Sequence, residues 1–232
     1  MLCTLYKTYS SIVSKMRFLD GAPALILRLI VAPVMIIAGY NKLNIANSEV
    51  SFPSRLLADE NVVAWFGNEQ WGLGLPLPDL LAFLAGWSEF LGGWLLLIGL
   101  LTRLVSIPLL FTMFIAATTV HWDNGWFSVA PSNPQTSAAQ VFDWFGVPAA
   151  QQSLENSEQV ALRLDRIKAL VDTHGYPDYL YEKGSVVILN NGIEFAAIYF
   201  AMLLSLLFTG GGRFVSVDHW LKRYLNKHRV ES

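Results

Sequence analysis

Apolar residues in this chain gather into four long blocks, with few polar positions to interrupt them. The blocks cover 22–40 (APALILRLIVAPVMIIAGY), 80–100 (LLAFLAGWSEFLGGWLLLIGL), 104–122 (LVSIPLLFTMFIAATTVHW) and 193–209 (IEFAAIYFAMLLSLLFT). The oily core of a bilayer is about 30 Å thick, and a helix needs about 20 apolar residues to cross it. Each block is therefore predicted to be a spanning helix. Only Leu101 and the polar pair Thr102 and Arg103 separate the second from the third, so the two blocks form an antiparallel hairpin. The expected fold is an all-α membrane protein: a four-helix transmembrane bundle in a single domain over 1–232, with two extracytoplasmic loop regions at 43–79 and 123–192.

Polar and apolar positions are more mixed in the two loops. In the first, NVVAWFGNEQW (61–71) sets Trp65, Phe66 and Trp71 just before the second span. Tryptophan favours the membrane–water boundary, so a short element lying on the outer surface is predicted there. In the second loop, Val160, Leu164, Ile167 and Val171 recur at helical spacing. They predict a helix over 154–172 that caps the bundle. SVVIL (185–189) reads as a short strand.

Composition agrees with this pattern. Of 232 residues, 53% are hydrophobic and 15% charged, against about 25% charged in soluble domains. The net charge of -2 gives no basic footprint for nucleic acid. The single cysteine, Cys3, excludes an intrachain disulfide. Lys7, Lys15 and Arg17 precede the first block, which is long enough to stay as an uncleaved span and not act as a signal peptide. Nine of the sixteen basic residues lie in the N-terminal segment, the hairpin turn and the C-terminal tail. By the positive-inside rule both termini face the cytoplasm. The chain is expected in a bacterial inner (plasma) membrane, with its two large loops in the periplasm.

Charges inside the spans are the candidate chemistry. A buried ionisable group costs about 2.5–3.5 kcal/mol on insertion scales and normally finds a partner. Counting depth at about 1.5 Å per residue brings Arg28 and Glu89 within reach of one another, so a buried Arg28–Glu89 ion pair is expected. It either sets helix register or forms a ligand or proton site. Ala85, Gly86, Gly92 and Gly93 flank Glu89 and let a neighbouring helix come close. At the outer ends of the spans, Tyr40, Asn41, Lys42, His121, Asp123, Asn190, Asn191 and Glu194 define a candidate polar mouth. Its residue types suit a quinone headgroup, a proton relay or a metal, with His121 and Glu194 the best metal candidates. The sequence holds no HxH or HExxH pattern and no self-contained catalytic motif.

Several motifs resemble those of the DoxX family of small four-helix membrane proteins: RLIVAPVMIIAGYNKL, SEFLGGWLLLIGLLTR and GGGRFVSVDHW. The family pattern falls on Arg28, Gly39, Lys42 and Leu43, then on Glu89, Gly92, Gly93, Leu96, Gly99, Thr102 and Arg103. WFGNEQWGLGLPLPDLLAFLA, FTMFIAATTVHWDNGW and VILNNGIEFAAIYFAMLLSLLFTGGGR are most similar to the HvfX-type branch. That likeness implies an accessory role in copper-related peptide maturation or export. The wider family implies a quinone-linked redox subunit, which would exchange electrons with a periplasmic or membrane partner. A small oligomeric transporter is the third class, and homo-oligomers are compatible with all three.

Overall fold

The computed structural model describes residues 6–7, 9–11 and 19–230; Cys3, Lys15 and Arg17 lie outside the described residues. The chain divides into two compact units, one formed by 1–119 and 196–232 and the other by 120–195.

The first unit is helical. Helix α1 is Ala22–Lys42, α2 is Glu60–Gly67, α3 is Pro78–Ile98 and α4 is Thr102–Ile115, which continues as a π-helical turn over Ala116–Val120. Helix α6 (Glu194–Thr209) and helix α7 (Val217–Val230) complete it, α6 from Ala196 onward. Ala22–Lys42, Pro78–Ile98 and Thr102–Val120 are long and apolar enough to cross a membrane. Helix α6 is equally apolar but has 16 residues. That gives about 24 Å of helix, against a hydrocarbon core of about 30 Å.

One core joins α1, α3, α4 and α6. It contains Ala24, Val31, Ala32 and Met35, then Leu96, then Val105, Leu109, Leu110 and Met113, then Leu203 and Leu206. The distribution of polarity is the reverse of a soluble bundle. Arg28, Glu89, Thr102 and Ser106 are buried, while Ile26, Ile37, Leu91, Leu104, Phe111 and Phe114 are exposed. Large apolar residues on the outside of every spanning helix need lipid around them.

Helices α1 and α3 form the closest pair. A Cβ on Gly39 would run into the Phe90 amide nitrogen and stand 2.6 Å from Gly86 O. A Cβ on Gly93 would stand 2.8 Å from Ile36 N and 3.1 Å from Ala32 O. Only glycine permits this backbone contact, and it sets an antiparallel register. Lys42 is level with Glu89, Gly39 with Gly86 and Phe90, and Arg28 with Leu96 and Leu97. The segment after α1 is tied down by Asn44 N to Leu57 O (3.0 Å), Asp59 N to Lys42 O (2.9 Å) and Trp87 Nε1 to Leu56 O (2.8 Å). Where a short element is expected in the first loop stands the helix α2, capped by Asp59, whose side chain accepts from Asn61 N. Its Phe66 packs with Ala58 and with Ala82 of α3.

In the second unit the expected cap helix is longer than the periodicity indicated. Helix α5 runs Pro148–His174, started by Pro148 and stopped before Gly175. Its Val160 and Leu164 pack with Ala130, Val186 and Ile188. The 185–189 segment is not a strand: it makes a single antiparallel bridge, Val129 to Leu189. Its apolar residues pack on α5, and no neighbouring strand extends the ladder.

Candidate functional site

Glu89 sits in the middle of α3 and is 2% exposed. Its carboxylate is paired with the Lys42 ammonium, which also donates a hydrogen bond to Glu89 Oε2. The last turn of α1 delivers Lys42 here because Gly39, one turn earlier, brings the two backbones together. The two partners differ in burial: side-chain exposure is 25% for Lys42 and 3% for Glu89. Thr112 of α4 lies beside the Glu89 carboxyl, with its own hydroxyl proton given to Leu109 O at 3.0 Å. Aromatic rings occur close to both residues along their helices. Tyr40 and Phe90 stand 6.1 Å apart, Phe90 and Trp87 6.0 Å, and Trp87 and Phe83 6.4 Å.

The structure does not form the expected Arg28–Glu89 pair. Arg28, 1% exposed, bonds to backbone carbonyls: Nε to Leu96 O (2.7 Å), one terminal nitrogen to Leu97 O (2.9 Å), the other to Gly211 O, and both to Val215 O (3.2 and 3.3 Å). Leu96 and Leu97 belong to the last turn of α3, where carbonyls lack intrahelical donors and the helix dipole is negative. The guanidinium therefore caps α3. Asp218 does the converse at the start of α4, where its carboxylate accepts from Leu101 N (2.7 Å) and Thr102 N (3.0 Å), while its own N–H donates to Gly99 O (3.0 Å). The α3–α4 turn is thus held between one cation and one anion. Arg103 donates to Phe208 O at 2.9 Å and ties the end of α6 to the same place. Asp218 and Gly211 were not anticipated as partners of Arg28 and the turn, although both lie in the GGGRFVSVDHW stretch.

The candidate mouth residues fall in both units. Tyr40, Asn41 and Lys42 belong to the first, where Asn41 is exposed and the Tyr40 ring lies tilted beside Phe90. His121, Asp123, Asn190, Asn191 and Glu194 belong to the second. There, all but Asp123, which is exposed, stitch the two ends of the loop together. The Asn191 carbonyl, which can only accept, takes a hydrogen bond from His121 Nδ1 at 2.9 Å. Glu194 Oε2 accepts from Ser128 N at 3.0 Å, and Asn190 Nδ2 donates to Phe127 O at 2.8 Å. Backbone bonds from Asn190, Asn191, Gly192, Ile193 and Glu194 to the carbonyls of 125–128 run alongside. His121 and Glu194 thus serve this clasp. Among the described residues, no three of His, Cys, Asp and Glu gather as a metal-holding group.

No curated protein and no solved structure matches the chain. Residues 24–122, which carry Arg28, Lys42 and Glu89 and the three helices long enough to cross a membrane, match the model of the DoxX family.

Proposed function

We propose that the whole chain is a DoxX-type membrane protein that works as an accessory subunit, and that Lys42 and Glu89 form its working site for a quinone headgroup. The observation that carries this reading is a buried carboxylate whose cationic partner is partly open. A quinone presents two carbonyl oxygens and a flat ring. The Lys42 ammonium is a donor to such an oxygen, and the ring pair of Tyr40 and Phe90, close to Lys42 and Glu89 along their helices, suits a flat ligand. Glu89 would hold and pass a proton, with the Thr112 side chain beside its carboxyl. Bound quinone would supply the electron chemistry, exchanged with a periplasmic or membrane partner. In this reading α6 also crosses the bilayer, both termini are cytoplasmic, and the site lies toward the periplasmic face of a bacterial inner membrane.

The test is purification of the full chain in mild detergent, followed by solvent extraction of quinone and metal analysis on the same sample. Quinone is expected with the wild-type chain and lost from Lys42→Met and Glu89→Leu. A wild-type chain that carries no quinone, and binds none when it is added back, overturns the reading.

An accessory role in copper-related peptide maturation or export is the second reading. It is supported by the HvfX-like stretches at the first outer loop, the end of the third block and the fourth block. Impaired growth of a deletion strain under copper stress, with unchanged quinone-linked respiration, favours it over the first.

A further inference from the structure

Helix α7 is two-faced, and its apolar face is bare. Val217, Trp220, Leu221, Tyr224 and Leu225 recur at spacings of three, one, three and one residues, which gathers them on one side of a helix. All five are exposed; Leu221 is 45% and Tyr224 62% exposed. Lys222, Arg223, Asn226 and Lys227 occupy the other side and its margins. Asp218 is the sole acid in α7, and it is committed to the α3–α4 turn.

The position of α7 identifies what covers that face. The α3–α4 turn joins two membrane-crossing helices through Gly99, Leu100 and Leu101 alone, so it must lie at a bilayer surface. Asp218 grips this turn through three hydrogen bonds, which fixes the first turn of α7 at the same level. Trp220 is held there as well, by Nε1 donating to Phe214 O at 3.0 Å. Tryptophan and tyrosine on one face, with lysine and arginine on the other, is the make-up of helices that lie in the headgroup layer. With 14 residues, α7 reaches about 21 Å along that surface.

We infer that α7 is an interfacial helix that lies flat on the bilayer and binds anionic phospholipid headgroups through Lys222, Arg223 and Lys227. The apolar stripe enters the acyl boundary. The cations neutralise the lipid charge that collects beneath a basic helix. The inference needs no ligand at Lys42 and Glu89, so it stands apart from the proposed function.

The experiment uses the full chain with Cys3→Ser, reconstituted into vesicles. Leu221→Cys and Asn226→Cys, on opposite faces, each carry a nitroxide label. Accessibility is read with oxygen, which concentrates in lipid, and with a water-soluble nickel chelate. In vesicles containing phosphatidylglycerol, the Leu221 label should be open to oxygen and closed to nickel, and the Asn226 label the reverse. Each basic residue near an anionic surface contributes about fivefold in partition, so exchanging Lys222, Arg223 and Lys227 together for glutamine should lower membrane occupancy by about 100-fold. The Leu221 label should then meet nickel as Asn226 does. Equal nickel access at both labels in anionic vesicles overturns the inference. So does a Leu221 label closed to both reagents, which would mean a protein covers it. Unchanged burial in pure phosphatidylcholine overturns the anionic-lipid assignment.

Discussion

Arg28 and Glu89 are both buried charges, yet they meet different needs. Glu89 answers Lys42, so Lys42→Met leaves a carboxylate alone in the bundle, at a cost of about 3–5 kcal/mol. Lys42→Met with Glu89→Leu should recover most of that loss, measured as the detergent-unfolding midpoint of the purified chain. Arg28→Leu with Glu89→Leu should instead be additive within about 0.5 kcal/mol, because the two share no contact. Arg28→Lys is not conservative here: an ammonium has three donors and no fork to span four carbonyls, so a loss of about 2–3 kcal/mol is expected in the same assay. The presence of buried charge was readable from the sequence, because an acid at the centre of an apolar run is too costly to face lipid and must turn inward to a partner. The identity of that partner was not readable. Depth counted along each helix assumes that both start at the same plane, and the glycine seam shifts α1 against α3 by several residues. That shift brings Lys42 to Glu89 and carries Arg28 to the end of α3.

At the scale of elements, the seam itself is the vulnerable part. Gly39→Leu must push α1 away from Phe90 and Gly86. Overpacking of this kind costs about 1–3 kcal/mol, and separation of the helices also breaks the Lys42 contact. The same substitution at Gly125 meets no atom, but it must hold φ 73 and ψ -156, a region close to glycine-only, so a cost of about 1–3 kcal/mol there comes from backbone strain alone. Asp218→Ala removes the cap of α4 and should cost about 1 kcal/mol in the unfolding assay. Helix identity was legible from apolar runs and from periodicity, as α1, α3, α4 and α5 all demonstrate. The 185–189 segment misled because a short β-branched run reads the same whether it pairs with a strand or packs on a helix. Sequence pattern also carried no sign of the π-helical turn at Ala116–Val120, since its backbone register does not follow from side-chain order.

For the whole molecule, the reversed polarity of the first unit is the dominant fact, and among the described residues it accompanies three helices long and apolar enough to cross a membrane. The orientation proposed from the basic residues has a direct check. A reporter fused after Ser232 should behave as cytoplasmic, and one inserted near Ala138 as periplasmic; the opposite result at either site defeats the assignment. The second unit has its own small core around Val160 and Leu164 and its own clasp between 125–128 and 190–194. His121, Asn190, Asn191 and Glu194 make hydrogen bonds that fasten this loop, and the same residue types at helix ends are those the sequence offers for a polar mouth.

The cap that Arg28 forms also imposes an order on biogenesis. Its α3 carbonyls lie 68 and 69 residues further along the chain, and those of Gly211 and Val215 lie 183 and 187 residues further. At a synthesis rate of about 5–20 residues per second, the last two partners emerge about 10–40 s after Arg28 itself. From the synthesis of Leu97 until that of Gly211 the first span carries a cation whose coordination is half complete. Nascent chains halted before Gly211 should therefore remain crosslinked to the insertion machinery, and chains that have passed Asp218 should be released from it.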